Sequence, residues 1–294
     1  MATSGTTGAP QGVVLTHDAV AASARATSRR LGVDAGRHRW VACLPLNHVG
    51  GLSVVTRALL TGTPLDVLAR FDVEAVGALA GPEVLISLVA TTLGRIGAEQ
   101  FHTVVLGGSA PPGNLADNVV TTYGLTETGS GVVYDGVPLD GVDVAIAGGE
   151  VRVRGPMLLR AYRDGTVPLD ADGWLATGDA GYLDPAGRLR VRGRLEELII
   201  TGGDNVWPAP VEAILRTHPR VAEVAVAGRP DPEWGERVVA WVVPVSPGDP
   251  PTVEELRRLV RDHLAAYAAP RQMVVVERLP RTSIGKVQRN RLPS

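Results

Sequence analysis

Short apolar runs alternate with helix-prone stretches through the first part of the chain, and this alternation restricts the fold more than any other feature. Trp40–Leu44, Pro64–Leu68, Val84–Leu88 and Thr103–Leu106 have strand character. Ala19–Arg30, Leu52–Leu60, Val73–Ala80 and Thr91–Ile96 have helical character. Strands separated by helices imply an α/β layer structure with mostly parallel strands. Thr16 suits the N-cap of the first helix and Gly32 its C-terminal stop. Val142–Arg154 and Gly187–Arg192 are rich in β-formers and turns, which predicts a β subregion. The pattern changes near Arg194–Glu196. Beyond it come a helix at Ala209–Arg216, strands at Val221–Ala227 and Val238–Val243, a helix at Val253–Tyr267 and a last strand at Met273–Val276. The expected architecture is a large α/β domain over 1–195 and a small α+β domain over 196–294.

Composition narrows the function classes. The 294 residues carry a net charge of -2. No basic run is present, so nucleic acid is not the expected partner and no polybasic membrane anchor is read. No apolar stretch is long enough for a transmembrane helix, and no signal-peptide pattern opens the chain. The single cysteine, Cys43, fits a reducing cytoplasm and reads as a small buried hydrophobe rather than a nucleophile.

The residues that carry chemistry form an ordered series. Thr3-Ser4-Gly5-Thr6-Thr7-Gly8 is a phosphate-loop candidate, because glycines allow close backbone approach and hydroxyls donate to anionic oxygens. On composition alone a flexible linker is the better reading, and no Gly-Lys-Ser/Thr follows it as a P-loop requires. Gly107-Gly108-Ser109 follows a strand. Tyr123-Gly124-Leu125-Thr126-Glu127-Thr128 follows the strand-like Asn118–Thr122. Thr177-Gly178-Asp179, Gly193-Arg194-Leu195-Glu196-Glu197 and Gly202-Gly203-Asp204-Asn205-Val206 come next. Arg281-Thr282-Ser283-Ile284-Gly285-Lys286-Val287-Gln288-Arg289 stands near the end.

In this order the motifs resemble the superfamily of acyl-CoA synthetases, peptide-synthetase adenylation domains and luciferases. The resemblance covers almost the whole chain. It implies a ligase that uses ATP and Mg²⁺ to activate a carboxylic acid as acyl-AMP, then forms a thioester with CoA. It also implies that the small C-terminal domain is mobile. By resemblance, residues 3–8 cradle the β- and γ-phosphates, Thr126 meets the α-phosphate and Glu127 holds the metal. Tyr123, beside Gly124, stacks on adenine, with Gly107-Gly108-Ser109 as the other wall. Asp179 and Arg194 take the ribose. Lys286 bridges the carboxylate, ribose and α-phosphate. Glu196 falls at the hinge, and Gly202-Gly203 lines the CoA tunnel after the domain swings. Trp234 and Tyr267 stand where some relatives hold CoA adenine, with ordinary packing an equally good reading.

The acid is read from His48 and Arg57. His48, in Leu44–Leu52, matches a gate beside the acyl tunnel, or is a buried structural histidine. Arg57 sits in an apolar helix. It is either a surface arginine or the partner of a second substrate carboxylate. Pro45–Leu52 with Arg57, Ile86–Val89 with Thr92-Leu93, and Val133–Val142 are similar to actinobacterial o-succinylbenzoate–CoA ligases of menaquinone biosynthesis. Three features depart from the wider family. The phosphate loop begins at Thr3 with no long segment before it, so the chain is either naturally short or truncated at its start, and missing elements would expose apolar surface for a partner or a second copy to cover. Gln11 stands where a lysine is usual, and Pro111–Asn118 is short. Two other readings remain open: another acyl-CoA ligase or carrier-loading adenylation enzyme, and a degenerate nucleotide- or acyl-binding protein.

Overall fold

The structure, a computed structural model, describes residues 1–3, 11–109, 111–281 and 287–293. The described chain divides into two compact units. The first comprises 1–3, 11–177 and 182–190, and the second comprises 178–181 with the described residues from 191 onward.

The first unit begins with β1 (Val13–Val14) and α1 (His17–Arg30). Thr16 caps α1 by accepting the Ala19 N–H at 3.1 Å, and Gly32 leaves it at φ 61°. β2 (Arg39–Ala42), α2 (Val49–Thr61), β3 (Leu65–Val67), α3 (Val73–Ala78) and β4 (Gly81–Val89) follow in strict alternation. α4 (Ala90–Leu93), β5 (Phe101–Gly107), β6 (Val119–Leu125), β7 (Ser130–Tyr134) and β8 (Val137–Pro138) complete the main sheet. Its order is β3-β2-β4-β5-β6-β7-β8, parallel from β3 to β6 and antiparallel thereafter.

Both faces of this sheet are covered, which is why its strands read as continuous apolar runs. Trp40, Ala42, Leu85 and Val105 share a core with Val54 and Ala58 of α2 and Ala26 of α1. Val41, Ile86, Val104 and Leu106 pack on the other side with Val76 of α3. Burial pushes the Cys43 thiol up to about 11, as expected of a structural cysteine. The helix expected over 91–96 is a single turn. Thr92 spends its hydroxyl on the Val89 backbone, and Gly94 ends the turn.

α2 starts against the chain that leaves β2. A Cβ on Gly51 would lie 2.4 Å from the Pro45 carbonyl oxygen and 2.5 Å from that of Leu44. Helix propensity alone favours Gly51→Ala by roughly 0.5–1 kcal/mol. The backbone clash outweighs this, so Gly51→Ala should lose about 1–3 kcal/mol, as overpacked sites do. Urea denaturation checks it, and an unchanged or higher midpoint would refute the close approach.

The β subregion comprises β9 (Asp143–Ala147), β10 (Glu150–Arg154), β11 (Ala161–Tyr162), β12 (Leu175–Leu183) and β13 (Leu189–Arg194). β13-β12-β10-β9 form a four-stranded sheet, and β11 pairs with β1.

The second unit continues with β14 (Ile199–Thr201), β15 (Asp204–Val206), α5 (Pro208–Leu215), β16 (Val221–Asp231), β17 (Gly235–Pro244), α6 (Val253–Arg261) and β18 (Gln272–Val275). Its sheet runs β15-β14-β17-β16, with β18 parallel to β17. α5 and α6 cover one face through Val211, Leu215, Leu256 and Val260. Thr252 and Glu255 close a reciprocal cap on α6. The helix expected to reach Tyr267 ends at Arg261. His263 and Leu264 both donate to Val260, tightening the last turn. The chain then bends so that Ala268 and Ala269 enter the core ahead of β18.

Candidate functional site

In open parallel sheets ligands bind outside the carboxyl ends of the strands, and the expected site residues of the first unit gather there. Gly107 ends β5, with Gly108 at φ 86° and an exposed Ser109 after it. A Cβ on Gly107 would stand 2.7 Å from the Thr122 hydroxyl, so β5 and β6 approach closely. Tyr123 and Gly124 lie within β6, which extends beyond the expected 118–122. A register irregularity follows Tyr123, and a Cβ on Gly124 would meet the Ser130 carbonyl at 2.1 Å. Thr126 and Glu127 form a 3₁₀ turn with Thr128. The buried Thr128 hydroxyl bonds the backbone of Leu125 on one side and the Ser130 carbonyl on the other. This fixes the turn and leaves Thr126 and Glu127 half-buried at the strand end.

Tyr162 was not legible as a site residue. Its backbone pairs with Val13 in β1, and its hydroxyl donates to Glu127 Oε1 at 3.0 Å. Leu159 N–H meanwhile bonds the Glu127 carbonyl at 2.7 Å. One segment therefore holds both the carboxylate and the strand arriving from the phosphate-loop candidate. That candidate falls largely outside the described residues: Ser4, Gly5, Thr6, Thr7 and Gly8 are among those not described. Its stem is described. Thr3 N–H bonds the Gln11 carbonyl at 2.8 Å, the Gln11 N–H bonds the Thr3 hydroxyl at 3.0 Å, and Ala2 pairs with Gly12.

α2 and its N-cap carry the residues expected on the acyl side, His48 and Arg57. His48 is its half-buried N-cap residue, though its side chain makes no cap bond. Arg57 is 2% exposed, which removes the surface reading. Its guanidinium lies 5.5 Å over the Trp40 ring, and Nη2 donates to Ser130 Oγ at 2.5 Å. Ser130 Oγ is also 3.3 Å from Ser53 Oγ. Among the described residues no carboxylate pairs with Arg57, and its Nε and Nη1 are buried without an acceptor. A buried guanidinium in such surroundings requires an anion or ordered polar partners. Ser130 had no sequence signal: it reaches Arg57 only because the Thr126–Thr128 turn folds β7 back beside β6.

In the second unit Asp179 is 7% exposed, and the Arg194 Nε lies 3.1 Å from its Oδ1. The two residues expected at the ribose are thus neighbours. Glu196 is exposed on the 3₁₀ turn Leu195–Glu197. Gly202 and Gly203, at φ 61° and 87°, make the two-residue turn between β14 and β15. Gly202 N–H bonds the Trp234 carbonyl at 2.8 Å, and a Cβ on Gly202 would press on the indole at 2.8 Å. Arg271, which sequence reasoning missed, places its guanidinium 3.9 Å over the Trp234 ring. Tyr267 is 41% exposed. Trp234 therefore has a polar, stacked setting rather than a core one. Lys286 lies outside the described residues.

The sequence matches the AMP-binding enzyme family over residues 1–166 and the AMP-binding enzyme C-terminal domain over residues 210–286. The probable 2-succinylbenzoate–CoA ligase of Mycobacterium tuberculosis is 41% identical over 314 residues, covering 98% of this chain and 81% of that protein. The 2-succinylbenzoate–CoA ligase of Listeria monocytogenes is 35% identical, covering 99% of this chain and 68% of that protein. Among solved structures, o-succinylbenzoate CoA synthetase (MenE) from Bacillus subtilis in complex with the acyl-adenylate intermediate OSB-AMP superposes with TM-score 0.92 at 33% identity. That alignment covers 100% of this chain and 68% of the other. ATP-bound MatB from Rhodopseudomonas palustris superposes with TM-score 0.87 at 26% identity, over 99% of this chain and 66% of the other. With an α/β unit ending its parallel strands at the Thr126–Thr128 turn, a second α+β unit after it, and relatives aligned along nearly its whole length, the chain belongs to the AMP-binding, adenylate-forming enzyme family.

Proposed function

We propose that this chain is an AMP-forming o-succinylbenzoate–CoA ligase. A carboxylate oxygen of the acid attacks the α-phosphorus of ATP, and pyrophosphate leaves. The CoA thiol then attacks the acyl carbon of the mixed anhydride. A C–S bond forms, the C–O bond to AMP breaks, and the thiol proton leaves to solvent. The product is a thioester, as menaquinone biosynthesis requires of this step.

The observation that carries the substrate reading is Arg57. A cation 2% exposed, with two N–H-bearing nitrogens lacking acceptors and Ser130 on its third, suits a second carboxylate on the substrate. o-Succinylbenzoate supplies two carboxylates, one to activate and one to be held. The names of the relatives point to the same acid.

The remaining roles are those that membership of the family implies. Tyr123 and the Gly107–Ser109 turn bracket adenine, and Thr126 meets the α-phosphate. Asp179 and Arg194 hold the ribose, with Asp179 as the acceptor for its hydroxyls. His48 lines the entrance to the acyl pocket. Residues 3–8 cradle the outer phosphates. Trp234, with Arg271 stacked on it, and the exposed Tyr267 are the residues offered to CoA adenine, and Gly202-Gly203 leaves backbone room for the pantetheine arm. Glu196, exposed on a short turn, is the hinge between the two half-reactions.

Mg²⁺ usually binds one or two carboxylates plus substrate phosphates rather than an all-protein cage. Among the described residues no cluster of three acids, histidines or cysteines exists. Glu127, oriented by the Tyr162 hydroxyl on one oxygen, fits the single-carboxylate role. The ion would neutralise phosphate charge there. No helix among the described residues is long and apolar enough to cross a membrane, and a cytoplasmic enzyme is part of the proposal.

Pyrophosphate release over a panel of acids tests the substrate. o-Succinylbenzoate should exceed benzoate and linear fatty acids in kcat/KM by at least about 10²-fold, the factor expected when a buried charge finds its partner. Equal rates across the panel would refute the assignment. Faster turnover with a carrier-protein thiol than with CoA would favour the carrier-loading alternative.

A further inference from the structure

Lys286 lies outside the described residues, but the residues on either side of 282–286 are described and anchored. Arg281 pairs with Val287 across a β-bridge, and Gln288 N–H bonds the Pro280 carbonyl at 2.8 Å. Arg281 also reaches Glu223 Oε2 at 2.6 Å. Val287 packs against a small core formed by Ala225, Val239, Trp241, Leu279 and Leu292.

Beyond this bridge Arg289 uses all three of its nitrogens. Nε donates to the Val226 carbonyl at 3.0 Å, Nη1 to Glu197 Oε1 at 2.8 Å and Nη2 to Glu212 Oε1 at 2.6 Å. Glu212 is 5% exposed on α5, and its Oε1 also accepts the Val226 N–H at 2.9 Å. Its Oε2 takes Arg216 at 3.0 Å. Glu197 immediately follows Glu196 on the hinge-side turn. One guanidinium therefore joins four parts of the second unit: the turn bearing Glu196, helix α5, strand β16 and the chain just after Lys286.

A planar fork filled on every nitrogen fixes orientation as well as distance. Surface arginines that merely solubilise do not hold two carboxylates and a strand carbonyl while 19% exposed. If stability were the only demand, well-packed apolar residues could replace this buried ion-pair cluster at little cost. What the arginine adds is a defined direction for the chain leaving Lys286, referenced to the hinge turn.

We propose that Arg289 is a positioning residue for adenylation: clamped by Glu197 and Glu212, it sets where the chain delivers Lys286. The inference rests on the reading of Lys286 as the adenylating lysine. It predicts a selective defect, because the lysine is needed in only one half-reaction.

The test uses the full-length enzyme with o-succinylbenzoate, ATP and CoA. Two rates are measured: acyl-adenylate formation in a single turnover, and thioester formation from chemically supplied acyl-adenylate. Arg289→Gln should slow the first about 10²-fold, the usual cost of a displacement near 1 Å. It should leave KM for ATP and the second rate unchanged. Glu197→Gln, which keeps an acceptor and retains Glu212, should show a smaller loss in the same half-reaction, and serves if Arg289→Gln folds poorly. In a Lys286→Ala background, Arg289→Gln should add nothing, since both act through one group.

Equal loss in both half-reactions would overturn the inference. So would the same factor appearing in the Lys286→Ala background, with the lysine reading intact. If Lys286→Ala itself fails to separate the two rates, the lysine reading falls and the inference falls with it.

Discussion

Lys286→Ala should slow acyl-adenylate formation by about 10²–10³-fold, the loss typical when one preorganised electrostatic contact to a reacting anion is removed. The physical demand is clear. A carboxylate must approach a polyphosphate, and repulsion between the two anions opposes the attack. A lysine reaching both the carboxylate and the α-phosphate offsets that charge as it builds up. The second half-reaction has a different demand, since a neutral or thiolate sulfur attacks an already activated acyl group. Transfer from supplied acyl-adenylate to CoA should therefore be nearly unchanged. The two assays differ only in the starting species. Should both rates fall together, the lysine serves binding or folding in general, and the division of labour between two orientations of the C-terminal unit loses its support.

The second large effect is expected at Arg57, and it has opposite signs in two measurements. Arg57→Met keeps the side-chain volume but removes a buried charge whose Nε and Nη1 lack acceptors. Replacing such a group by an apolar one stabilises the ligand-free fold, by about 1–4 kcal/mol in comparable buried cases. In the proposed role, the same substitution leaves the substrate's second carboxylate buried and unpaired, which costs about 3–5 kcal/mol, or roughly 10²–10⁴-fold in kcat/KM. The melting temperature of the free enzyme should rise while o-succinylbenzoate use collapses. An analogue lacking the second carboxylate should be affected far less. A variant that melts lower and loses activity equally toward both acids would show that Arg57 is a structural member of the core. Ser130→Ala should weaken o-succinylbenzoate use by a smaller factor, but it should lower the melting temperature, because it takes from the buried guanidinium its acceptor at Nη2.

The contrast between Arg57 and Ser130 shows how far the sequence reaches. Arg57 was legible because an arginine inside the apolar stretch Leu52–Leu60 demands an explanation from residue type alone. Ser130 was not, since a serine after Thr126–Gly129 is an ordinary residue until a turn places it 73 positions away from its partner in sequence but 2.5 Å away in space. Tyr162 was hidden for the same reason. Its role depends on β11 pairing with β1, a long-range contact between two strands of 2 residues each.

The parallel sheet was readable because strands buried on both faces leave uninterrupted apolar runs, from Trp40 to Leu106. Local signals at the ends of α1 also held: Thr16 caps it, and Gly32 leaves it in the left-handed conformation. Where propensity met competing local bonds, it lost. Thr92 turned its hydroxyl back to Val89 and cut α4 to one turn, and the chain after Arg261 bent to deliver two alanines to the core. β6 ran on through Tyr123-Gly124-Leu125 because β7 returns against it, pairing Leu125 with Ser130. No pattern within the segment 118–125 announces that partner.

The central claim is that a carboxylate oxygen of the acid attacks the α-phosphorus and that the thiol later attacks carbon. Isotope transfer follows those atoms directly. o-Succinylbenzoate labelled with ¹⁸O in its carboxylates is turned over with ATP, Mg²⁺ and CoA, and the nucleotide and phosphate products are examined by ³¹P NMR and mass spectrometry. The adenylate route predicts AMP carrying one ¹⁸O, unlabelled pyrophosphate and a CoA thioester. ADP together with labelled inorganic phosphate would mean attack at the γ-phosphorus, and would contradict the account.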